Sequence, residues 1–507
     1  MTRIISVPQR IKQFPYLKDL NQKKIIAYGH FSSIHPGHIR YLQNARSLGE
    51  ILIVVIKGDK NKDSSDKYLF SINERSKSLA MLNICDYIIH LENDELNSVV
   101  EEISPDCLVF GTDYKKHLKN EIKEAVKFAK KSNIEVIYNS GEIKYASTEL
   151  LEESNSEVDL TRRKAFFESC KKQSIDPKNF NKILKKIEST PILIIGDNII
   201  DEYTACEALG MSAEAPVLVV KELESKIFCG GAAVVASHIK SLGGECYFIT
   251  VSGNDHNSEY LKNDLEKKSI KHIILKDKNR PTTYKKRYMV ENQKLFRVSK
   301  LDDQPINKEL ENKMLNHILK IIPKVKGVVF SDFNYGVISE NIIKKVTEIA
   351  HEKNILLFAD SQSSSQICSI TKFKKQTLLC PNEKEARVSL QNNISGLESL
   401  VNDIFKISNP EKLIMKLGGQ GLIAYKKNKS GRLQNQYFPA LSSNPTDVVG
   451  AGDAFLCGFA ISDIQGNSFS ESLVMGSIFA GIHTSTIGNS ALQRSEIDNY
   501  IDHLVNA

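Results

Sequence analysis

The hydrophobic pattern of the first third of the chain alternates short apolar runs with longer amphipathic stretches. The apolar runs predict strands at Ile25–Tyr28, Ile51–Ile56, Tyr87–His90, Leu108–Phe110 and Glu135–Tyr138. The stretches between them predict helices at about His38–Leu48, Ile72–Leu82 and Glu121–Lys131. Strands that alternate with helices form a parallel sheet covered by helices. We therefore expect a doubly wound domain at residues 22–151.

A second alternation of the same kind begins at Pro191 and runs to the end of the chain. Three further β segments at 217–220, 282–290 and 295–298 predict a small lid sheet beside the main one. Residues 152–189 are charged and poor in apolar runs, which is typical of a linker with one or two helices. The predicted fold class is α/β, with two doubly wound parallel-sheet domains, the second at 190–507 with a β lid.

The composition is that of a soluble globular protein, with 41 % hydrophobic and 25 % charged residues and a net charge of +7. No basic face interleaved with aromatic residues stands out, so we expect no nucleic-acid partner. The nine cysteines lack zinc spacing, and the longest apolar runs have only strand length. These features favour a cytoplasmic protein with reduced thiols and no membrane contact.

Two histidines lie between the first predicted strand and the helix that follows it. The segment His35-Pro36-Gly37-His38 opens that helix. Free N–H groups and the helix dipole gather anions at such a position, and Gly37 lets the backbone approach a phosphate. Nucleotidyl transfer mainly needs charge stabilisation at the α-phosphate, which two imidazoles provide. The alternative is a pair of incidental loop histidines, which the placement at a strand-to-helix turn disfavours.

Residues 24–151 resemble the cytidylyltransferase-like nucleotidyltransferases, whose His-x-Gly-His motif is matched here, with further matches at 67–75, 111–114 and 145–148. The resemblance implies catalytic roles for His35, His38 and Lys67, and a substrate contact at Asp113. It implies nucleotide contacts at Gly29, Phe31, Gly37, Arg75, Ser147 and Thr148. The resemblance to heptose-specific members breaks at Ser32 and at 68–70, which leaves the acceptor and the base open.

The most specific motif is Asp447-Val448-Val449-Gly450-Ala451-Gly452-Asp453. A Gly-Ala-Gly turn at a helix start leaves N–H groups free to face an anion. The last aspartate follows at once, where it can accept a proton from an attacking hydroxyl. Phosphoryl transfer needs these two parts side by side. A structural turn with an N-cap aspartate is the alternative, and the motifs that accompany this one disfavour it.

Those motifs make residues 191–507 resemble the ribokinase-like (PfkB) sugar kinases. The matching segments are 196–201, 230–233, 381–385, 416–421 and 447–453. The resemblance implies that Asp453 is the catalytic base and that Glu385 places Mg²⁺. It implies nucleotide contacts at Asn382, Glu385, Lys416, Gly418, Gly421, Gly450, Ala451 and Gly452. It implies sugar contacts at Asp197, Asp201, Gly230 and Gly231.

Within that family the chain is most similar to the kinase half of bifunctional heptose 7-phosphate kinase/heptose 1-phosphate nucleotidyltransferases, through 212–217, 280–287 and 331–336. Arg280, Lys285 and Arg287 would then neutralise a phosphate on the sugar, unless they are ordinary surface charge on a β segment. Two features depart from those enzymes. They place the kinase first, and they carry Asp-Pro-Lys where this chain has Asp360-Ser361-Gln362.

The two signatures together predict a bifunctional enzyme of ADP-heptose synthase type that serves lipopolysaccharide assembly. The kinase would use MgATP on the anomeric hydroxyl of heptose 7-phosphate. The nucleotidyltransferase would couple a sugar 1-phosphate to ATP or CTP and release pyrophosphate, with a separate phosphatase between the steps. One alternative keeps both chemistries on another sugar or polyol phosphate, with CTP as donor. A second makes one domain a regulatory nucleotide-binding module, which the intact His35, His38 and Asp453 disfavour. By resemblance alone, a homodimer paired through the lids is an expectation.

Overall fold

The computed structural model divides the chain into two compact units, residues 1–153 with 392–403 and residues 154–391 with 404–507. The residues that it describes are 3–7, 22–32, 34, 36–59, 70–91, 96–111, 114, 120–138, 155–184, 190–214, 217–291, 293–362, 368–428, 431–442, 445, 447–486, 488 and 490–506.

The first unit contains a parallel sheet whose described strands follow the order β1-β4-β3-β2-β5-β6. The strands are β1 (Arg3–Val7), β2 (Lys24–Gly29), β3 (Ile51–Lys57), β4 (Tyr87–Leu91), β5 (Cys107–Phe110) and β6 (Glu135–Tyr138). The helices are α1 (Pro36–Ser47), α2 (Ile72–Met81), α3 (Leu96–Ile103) and α4 (Asn120–Lys131). All the strands and helices predicted in this region are confirmed, with ends shifted by at most two residues.

Alternate residues of the central strands pack on opposite faces of this sheet. Ile26 and Ile53 lie in a cluster with side chains of α3 and α4. Ile25 and Leu52, their neighbours in the chain, lie in a cluster with side chains of α1 and α2. The predicted doubly wound architecture is therefore confirmed. The hydrophobic pattern did not predict β1, which precedes the expected domain start at residue 22 and pairs with β4. It also did not predict α3, although Leu96, Val99, Val100 and Ile103 repeat at helical spacing and are buried.

The second unit contains a large sheet of described strands in the order β11-β10-β7-β14-β15-β16-β17-β18-β19. Neighbouring strands are parallel from β11 to β17, and the last two pairs are antiparallel. The strands are β7 (Pro191–Gly196), β10 (Glu245–Gly253), β11 (Lys271–Asp277), β14 (Gly327–Asp332), β15 (Leu356–Ser361), β16 (Leu378–Leu379), β17 (Lys412–Lys416), β18 (Leu422–Lys427) and β19 (Leu433–Phe438).

Beyond β7, the chain forms nine α-helices among the described residues, numbered from α7 because α5 and α6 precede β7. They are α7 (Ala232–Ser241), α8 (His256–Lys267), α9 (Lys308–Ile321), α10 (Glu340–Glu352), α11 (Glu383–Leu390), α12 (Leu397–Ser408), α13 (Ala451–Ile464), α14 (Phe469–His483) and α15 (Arg494–Asn506). Helices α7, α13 and α14 are apolar on nearly all sides, because they lie in the centre of the core of this unit.

The predicted lid is present as a separate sheet, whose described strands have the order β13-β12-β8-β9. Its strands are β8 (Asn198–Met211), β9 (Leu218–Gly231), β12 (Tyr284–Val290) and β13 (Gln293–Lys300). The predicted segments 217–220, 282–290 and 295–298 fall in or beside β9, β12 and β13. We call these four strands the lid sheet.

The predicted linker contains the helices α5 (Asn155–Lys172) and α6 (Phe180–Leu184). Phe166, Cys170, Phe180 and Ile183 of these helices are buried in the core of the second unit. The charged composition of residues 152–189 did not predict that these helices pack on the core, because only a few apolar residues anchor them. The domain boundaries at 151, 152 and 190 stay predictions.

The nine cysteines are buried as thiols. Burial raises the pKa of several of them, for example that of Cys85 to about 12. In the described part of the chain, no helix combines the length and the apolar character that a membrane span requires.

Candidate active sites

The crevice of the first unit lies where β2 and β5 separate. The strand order reverses at β2, and ligands bind at such a switch point in doubly wound sheets. The pairing of β2 with β5 ends at Ala27 and Val109. Just beyond it, the Tyr41 hydroxyl lies 2.7 Å from Val109 O and 3.0 Å from the amide nitrogen of Tyr28. This hydroxyl replaces a link of the strand ladder and fixes α1 against the crevice.

Gly37 and His38 of the His-x-Gly-His segment lie in the first turn of α1, where an anion site is expected. The ring of His38 packs against that of Phe31, with 5.0 Å between the centroids. Phe31 has a left-handed backbone with φ of 49°. A Cβ added at Gly29 would lie 2.8 Å from the Phe31 ring, so a side chain at Gly29 would push this aromatic ring away from the histidine. Gly37 is buried in the first turn.

Arg75 has a different environment from the one expected of a triphosphate contact. Its side chain is 1 % exposed and forms an ion pair with Asp59 at 2.7 Å. The guanidinium also donates to the carbonyl of His30 and to that of Lys57, the latter at 2.9 Å. These carbonyls lie at the ends of β2 and β3. Arg75 therefore holds together the two loops that border the crevice.

Five residues predicted for this site lie outside the described residues: His35, Lys67, Asp113, Ser147 and Thr148. Their roles stay predictions.

The second unit has a cavity of about 170 Å³ that brings together most of the predicted sugar and phosphate residues. It is lined by Ile199, Asp201, Gly231, Lys285, Arg287, Arg297, Phe333, Gln362, Val449, Gly450 and Asp453. These residues come from the lid sheet, from the ends of β14 and β15, and from the turn before α13. The fold therefore brings together cavity residues that lie far apart in the sequence.

Asp453 lies in the first turn of α13 and is 4 % exposed. Burial and the nearby Asp360 carboxylate raise its pKa to about 8, against the opposing effects of Lys416 and of the Gln362 hydrogen bond. Gln362 Nε2 donates to Asp453 Oδ1 at 2.8 Å. A carboxylate with a raised pKa in a cavity is well suited to accept a proton near neutral pH.

The turn before Asp453 offers backbone N–H groups to an anion. Gly450 adopts a left-handed conformation with φ of 84°, and no side chain caps the helix that it precedes. The N–H groups of Ala451 and Gly452 begin the helix, and that of Ala451 donates weakly to Val448 O at 3.3 Å. N–H groups at a helix start without a side-chain cap attract phosphates. Asp447 fixes the turn, because its carboxylate accepts from the N–H of Val449 at 3.1 Å and from Lys294 Nζ of the lid sheet at 3.0 Å.

Lys416 lies directly beneath this turn. A Cβ added at Gly452 would be 3.2 Å from Lys416 Nζ, and Nζ forms a 2.7 Å ion pair with Asp360. Burial acts to lower the pKa of Lys416, but the Asp360 carboxylate outweighs it and the pKa is raised. The lysine is therefore fully charged beside the turn where an anion would lie.

Asn382 and Glu385 form a capping box at the start of α11. The Asn382 side chain accepts from the N–H of Glu385 at 2.8 Å, and Glu385 Oε2 accepts from the N–H of Asn382 at 2.7 Å. Asn382 also pairs with Lys416 in a parallel bridge, which places the motif beside the turn. The hydrogen bonds of Asn382 and Glu385 in this capping box thus stabilise the helix start, and their role in nucleotide binding stays a prediction.

The carboxylates near the turn fit a Mg²⁺ ion that arrives with a nucleotide. Asp360 Oδ1 is buried without a hydrogen-bond partner among the described residues, and Glu385 lies close enough to influence Asp453 electrostatically. Mg²⁺ in kinases is bound through one or two carboxylates together with substrate phosphates. The described residues contain no group of three acidic, His or Cys side chains that would hold a metal alone.

Three cations face the cavity from the lid sheet. Lys285 is 5 % exposed, and burial lowers its pKa to about 8 although the Asp201 carboxylate acts to raise it. Arg287 forms an ion pair with Asp201. Arg297 stands opposite Arg287 in the hairpin of β12 and β13. Two acidic side chains, Asp201 and Asp453, thus line the cavity together with three cations, and the excess of positive charge suits a phosphate. Arg297 was not predicted from the sequence. Pairing β12 with β13 as a hairpin would have placed it opposite Arg287.

Asp197 and Arg280 do not line this cavity, contrary to expectation. The Asp197 carboxylate accepts from the N–H of Phe333 at 2.7 Å and from that of Val337 at 3.3 Å. Arg280 donates to Tyr335 O at 3.0 Å and forms an ion pair with Asp277 at 3.4 Å. Both residues fix the loop 333–337 and line a separate, smaller cavity. Their assignment as a sugar contact and a phosphate contact stays a prediction.

Gly231 ends β9 with φ of 63°, and a Cβ there would lie 2.4 Å from Asp197 O. It must be glycine for the chain to turn into α7 beside the cavity. Gly230 pairs with Ile199 in the lid sheet just before it. Gly418 begins the short helical turn Gly418–Gln420 between β17 and β18, and Gly421 follows it.

Comparison with known proteins identifies both regions. The model of the pfkB family carbohydrate kinases matches residues 189–495. The chain belongs to this family. The cytidylyltransferase-like family model matches residues 26–153, which include the histidine motif. The chain therefore combines a carbohydrate kinase region with a cytidylyltransferase-like region.

Similar proteins match about three fifths of the chain. The chain is 28 % identical over 312 residues to the bifunctional protein HldE of Nitratiruptor sp. and 32 % identical over 313 residues to that of Campylobacter jejuni serotype O:6. Each match covers 61 % of this chain and 64 % of the relative, so the chain spans less than two thirds of their length. Phosphofructokinase-2 from Escherichia coli and ribokinase from Giardia lamblia, each 16 % identical, cover 62 % of the chain and 99 % of their own length, with TM-scores of 0.51 and 0.50. These structures show the fold.

Proposed function

We propose that the chain is a bifunctional enzyme that makes a nucleotide-activated sugar of ADP-heptose type. The second unit phosphorylates a sugar phosphate at its anomeric hydroxyl, and the first unit transfers a nucleotidyl group to a sugar 1-phosphate with release of pyrophosphate. The observation that carries the proposal is the single cavity that combines Asp453, the Gly450 turn and three lid cations. The similarity to proteins named bifunctional HldE supports the pairing of the two reactions.

The kinase cavity suits a substrate that already carries a phosphate. Lys285, Arg287 and Arg297 bind that phosphate, while Asp201 accepts hydrogen bonds from sugar hydroxyls. Asp453 accepts the proton of the attacking hydroxyl, whose oxygen forms the new bond to the γ-phosphorus of ATP as the bond to ADP breaks. The N–H groups at the start of α13 and the charge of Lys416 stabilise the negative charge on the transferring group. Mg²⁺, bound near Asp360 and Glu385, would neutralise charge on the nucleotide phosphates.

In the first unit, the crevice between β2 and β5 binds the nucleoside triphosphate. His38 and the N–H groups at the start of α1 stabilise charge on the α-phosphate, and Arg75 holds the loops around it. The oxygen of the sugar 1-phosphate attacks the α-phosphorus, and pyrophosphate leaves. The partner histidine His35 and Lys67 complete this site in the proposal. The alternative donor is CTP, with another sugar or a polyol phosphate as acceptor, since the matched family model is that of cytidylyltransferase-like proteins.

The proposal is tested by mass spectrometry of products. The protein is incubated with MgATP and MgCTP, in turn with heptose 7-phosphate, heptose 1-phosphate and glycerol 3-phosphate. A heptose bisphosphate, together with ADP-heptose from the 1-phosphate, is the expected result. A CDP-linked product would favour the alternative. No product from either heptose would refute the proposed substrate.

We also propose a homodimer formed through the lid sheets. Its edge strands β9 and β13 expose large apolar side chains, among them Leu218, Leu223, Ile227, Phe296 and Val298. Exposed large apolar side chains at both edges of one sheet favour an interaction site, and a second lid offers a matching surface. Light scattering should give twice the chain mass, and the pair Leu223→Asp with Val298→Asp should give a monomer. A monomeric wild type would refute this interface.

A further inference from the structure

Arg162 connects α5 to two loops of the kinase region that are far away in sequence. Its Nη1 donates to Gly419 O at 3.0 Å and to Ser442 O at 2.8 Å. Arg162 precedes the part of the chain that the kinase family model matches, which begins at residue 189. A residue of the predicted linker thus bridges two kinase loops.

Both loops border the proposed nucleotide site. Gly419 lies in the turn Gly418–Gln420, which follows Lys416. The N–H of Leu417 donates to Gly421 O at 2.8 Å, and the Tyr437 hydroxyl donates to Gln420 O at 2.8 Å. Ser442 begins the segment that leads to Asp447 and the anion-binding turn. Arg162 therefore fixes the distance between the turn at 418–421 and Ser442.

The position of Arg162 is itself fixed by the core. Phe166, one helical turn further along α5, is fully buried, and its ring centroid lies 5.7 Å from that of Phe438. Cys170, another turn along, is buried in the same cluster. Phe438 O lies so close to Gly421 that a Cβ there would be 2.1 Å from it. The helix and the turn are thus packed on a common strand end, which limits the movement of Arg162 relative to both carbonyls.

We propose that Arg162 is a positioning residue of the kinase nucleotide site, and that α5 belongs functionally to the kinase. This inference rests on the proposed function, which places the nucleotide beside these loops. By bridging the two carbonyls, Arg162 holds the loops in the arrangement that binds the nucleotide. Without it the loops separate more readily, and part of the binding free energy is lost in ordering them.

The test compares Arg162→Ala, Arg162→Lys and the neighbouring exposed Lys164→Ala in the full-length protein. The dissociation constant for MgADP is measured by calorimetry, and KM and kcat are measured in the kinase assay. In Arg162→Ala we expect the MgADP dissociation constant and the KM for MgATP to rise about tenfold, the scale of one lost charged hydrogen bond. We expect the kcat and the KM for the sugar phosphate to change less than about threefold. Arg162→Lys should recover part of the loss, and Lys164→Ala should behave as wild type.

Parallel losses of nucleotide affinity, sugar affinity and kcat, together with a lower melting temperature, would show that Arg162 only supports the fold. Unchanged nucleotide constants in Arg162→Ala would also overturn the inference. MgADP binding by the wild type separates this inference from the proposed function. A wild type that binds MgADP without turning over any sugar would refute the proposed substrate and leave the Arg162 comparison decisive. A wild type that does not bind MgADP would refute both.

Discussion

The two candidate sites differ in how their charged side chains are used. In the kinase cavity, charged groups face the space where a substrate would lie, and Asp453, Lys285 and Arg287 line the same cavity. In the crevice of the first unit, the buried Arg75 turns toward backbone carbonyls and Asp59. Substitutions in the first set should therefore change chemistry, while those in the second should change the shape of the site. The four predictions below test this contrast.

The largest effect is expected from Asp453→Asn. The amide keeps the shape of the side chain but accepts a proton poorly, so kinase turnover should fall ~10²–10⁴-fold. Nucleotidyl transfer, assayed as pyrophosphate release in the same preparation, should be unchanged. A kinase rate near that of wild type would show that Asp453 is not the base.

Arg75→Met should act through the fold instead. It removes the Arg75 donor from the carbonyls of His30 and Lys57 and the ion pair from Asp59, which keeps the hydrogen bond from the N–H of Ile72 at 2.8 Å. The change should cost about 3 kcal/mol of unfolding free energy in the first unit. Denaturation with urea measures the loss, and nucleotidyl transfer should fall with it while kinase activity persists. Full stability with lost nucleotidyl transfer would mean that Arg75 contacts the nucleotide after all.

Lys285→Met tests the cationic side of the kinase cavity. The change preserves length and removes charge, so the KM for a phosphorylated sugar should rise about tenfold to hundredfold with little change in kcat. The same sugar without its phosphate is the control, and its KM should not change. Equal losses for both sugars would show that Lys285 does not bind the substrate phosphate.

The smallest effect concerns pH. The pKa of Asp453 is raised to about 8 and must be exceeded for the base to act, so kcat/KM should rise with pH up to that region. The pKa of Lys285 is lowered to about 8, so its charge is lost as the pH rises further and kcat/KM should fall again. Gln362→Lys brings a positive charge to Asp453 and should move the rising limb about one unit to lower pH. A rising limb that does not move would show that Asp453 does not control it.

The sequence predicted most of what depends on local pattern. Five strands of the first unit, β2 to β6, were placed to within two residues, because apolar runs identify buried parallel strands. The edge strand β1 was not predicted. The turn at Gly450 was found because its glycines and Asp453 are adjacent in the chain. In both cases the information lies within a few residues.

Roles that depend on distant partners could not be predicted in this way. Asp197 and Asp201 are four residues apart in one motif, yet Asp197 binds the N–H groups of a loop around residue 335 while Asp201 faces the cavity. Gln362 was noted only as a departure from related kinases, and its bond to Asp453 spans 91 residues. The role of Arg162 could not be predicted, because its partners are backbone carbonyl groups, which every residue has.

All nine cysteines are buried, so their reaction with a thiol reagent can report local opening of the fold. Cys85 and Cys107 belong to the core of the first unit, whereas Cys246 and Cys457 belong to that of the second. A thiol reagent reaches each group only when the surrounding core opens. Labelling rates read by peptide mass spectrometry would thus give the opening equilibria of the two units separately, without any engineered probe.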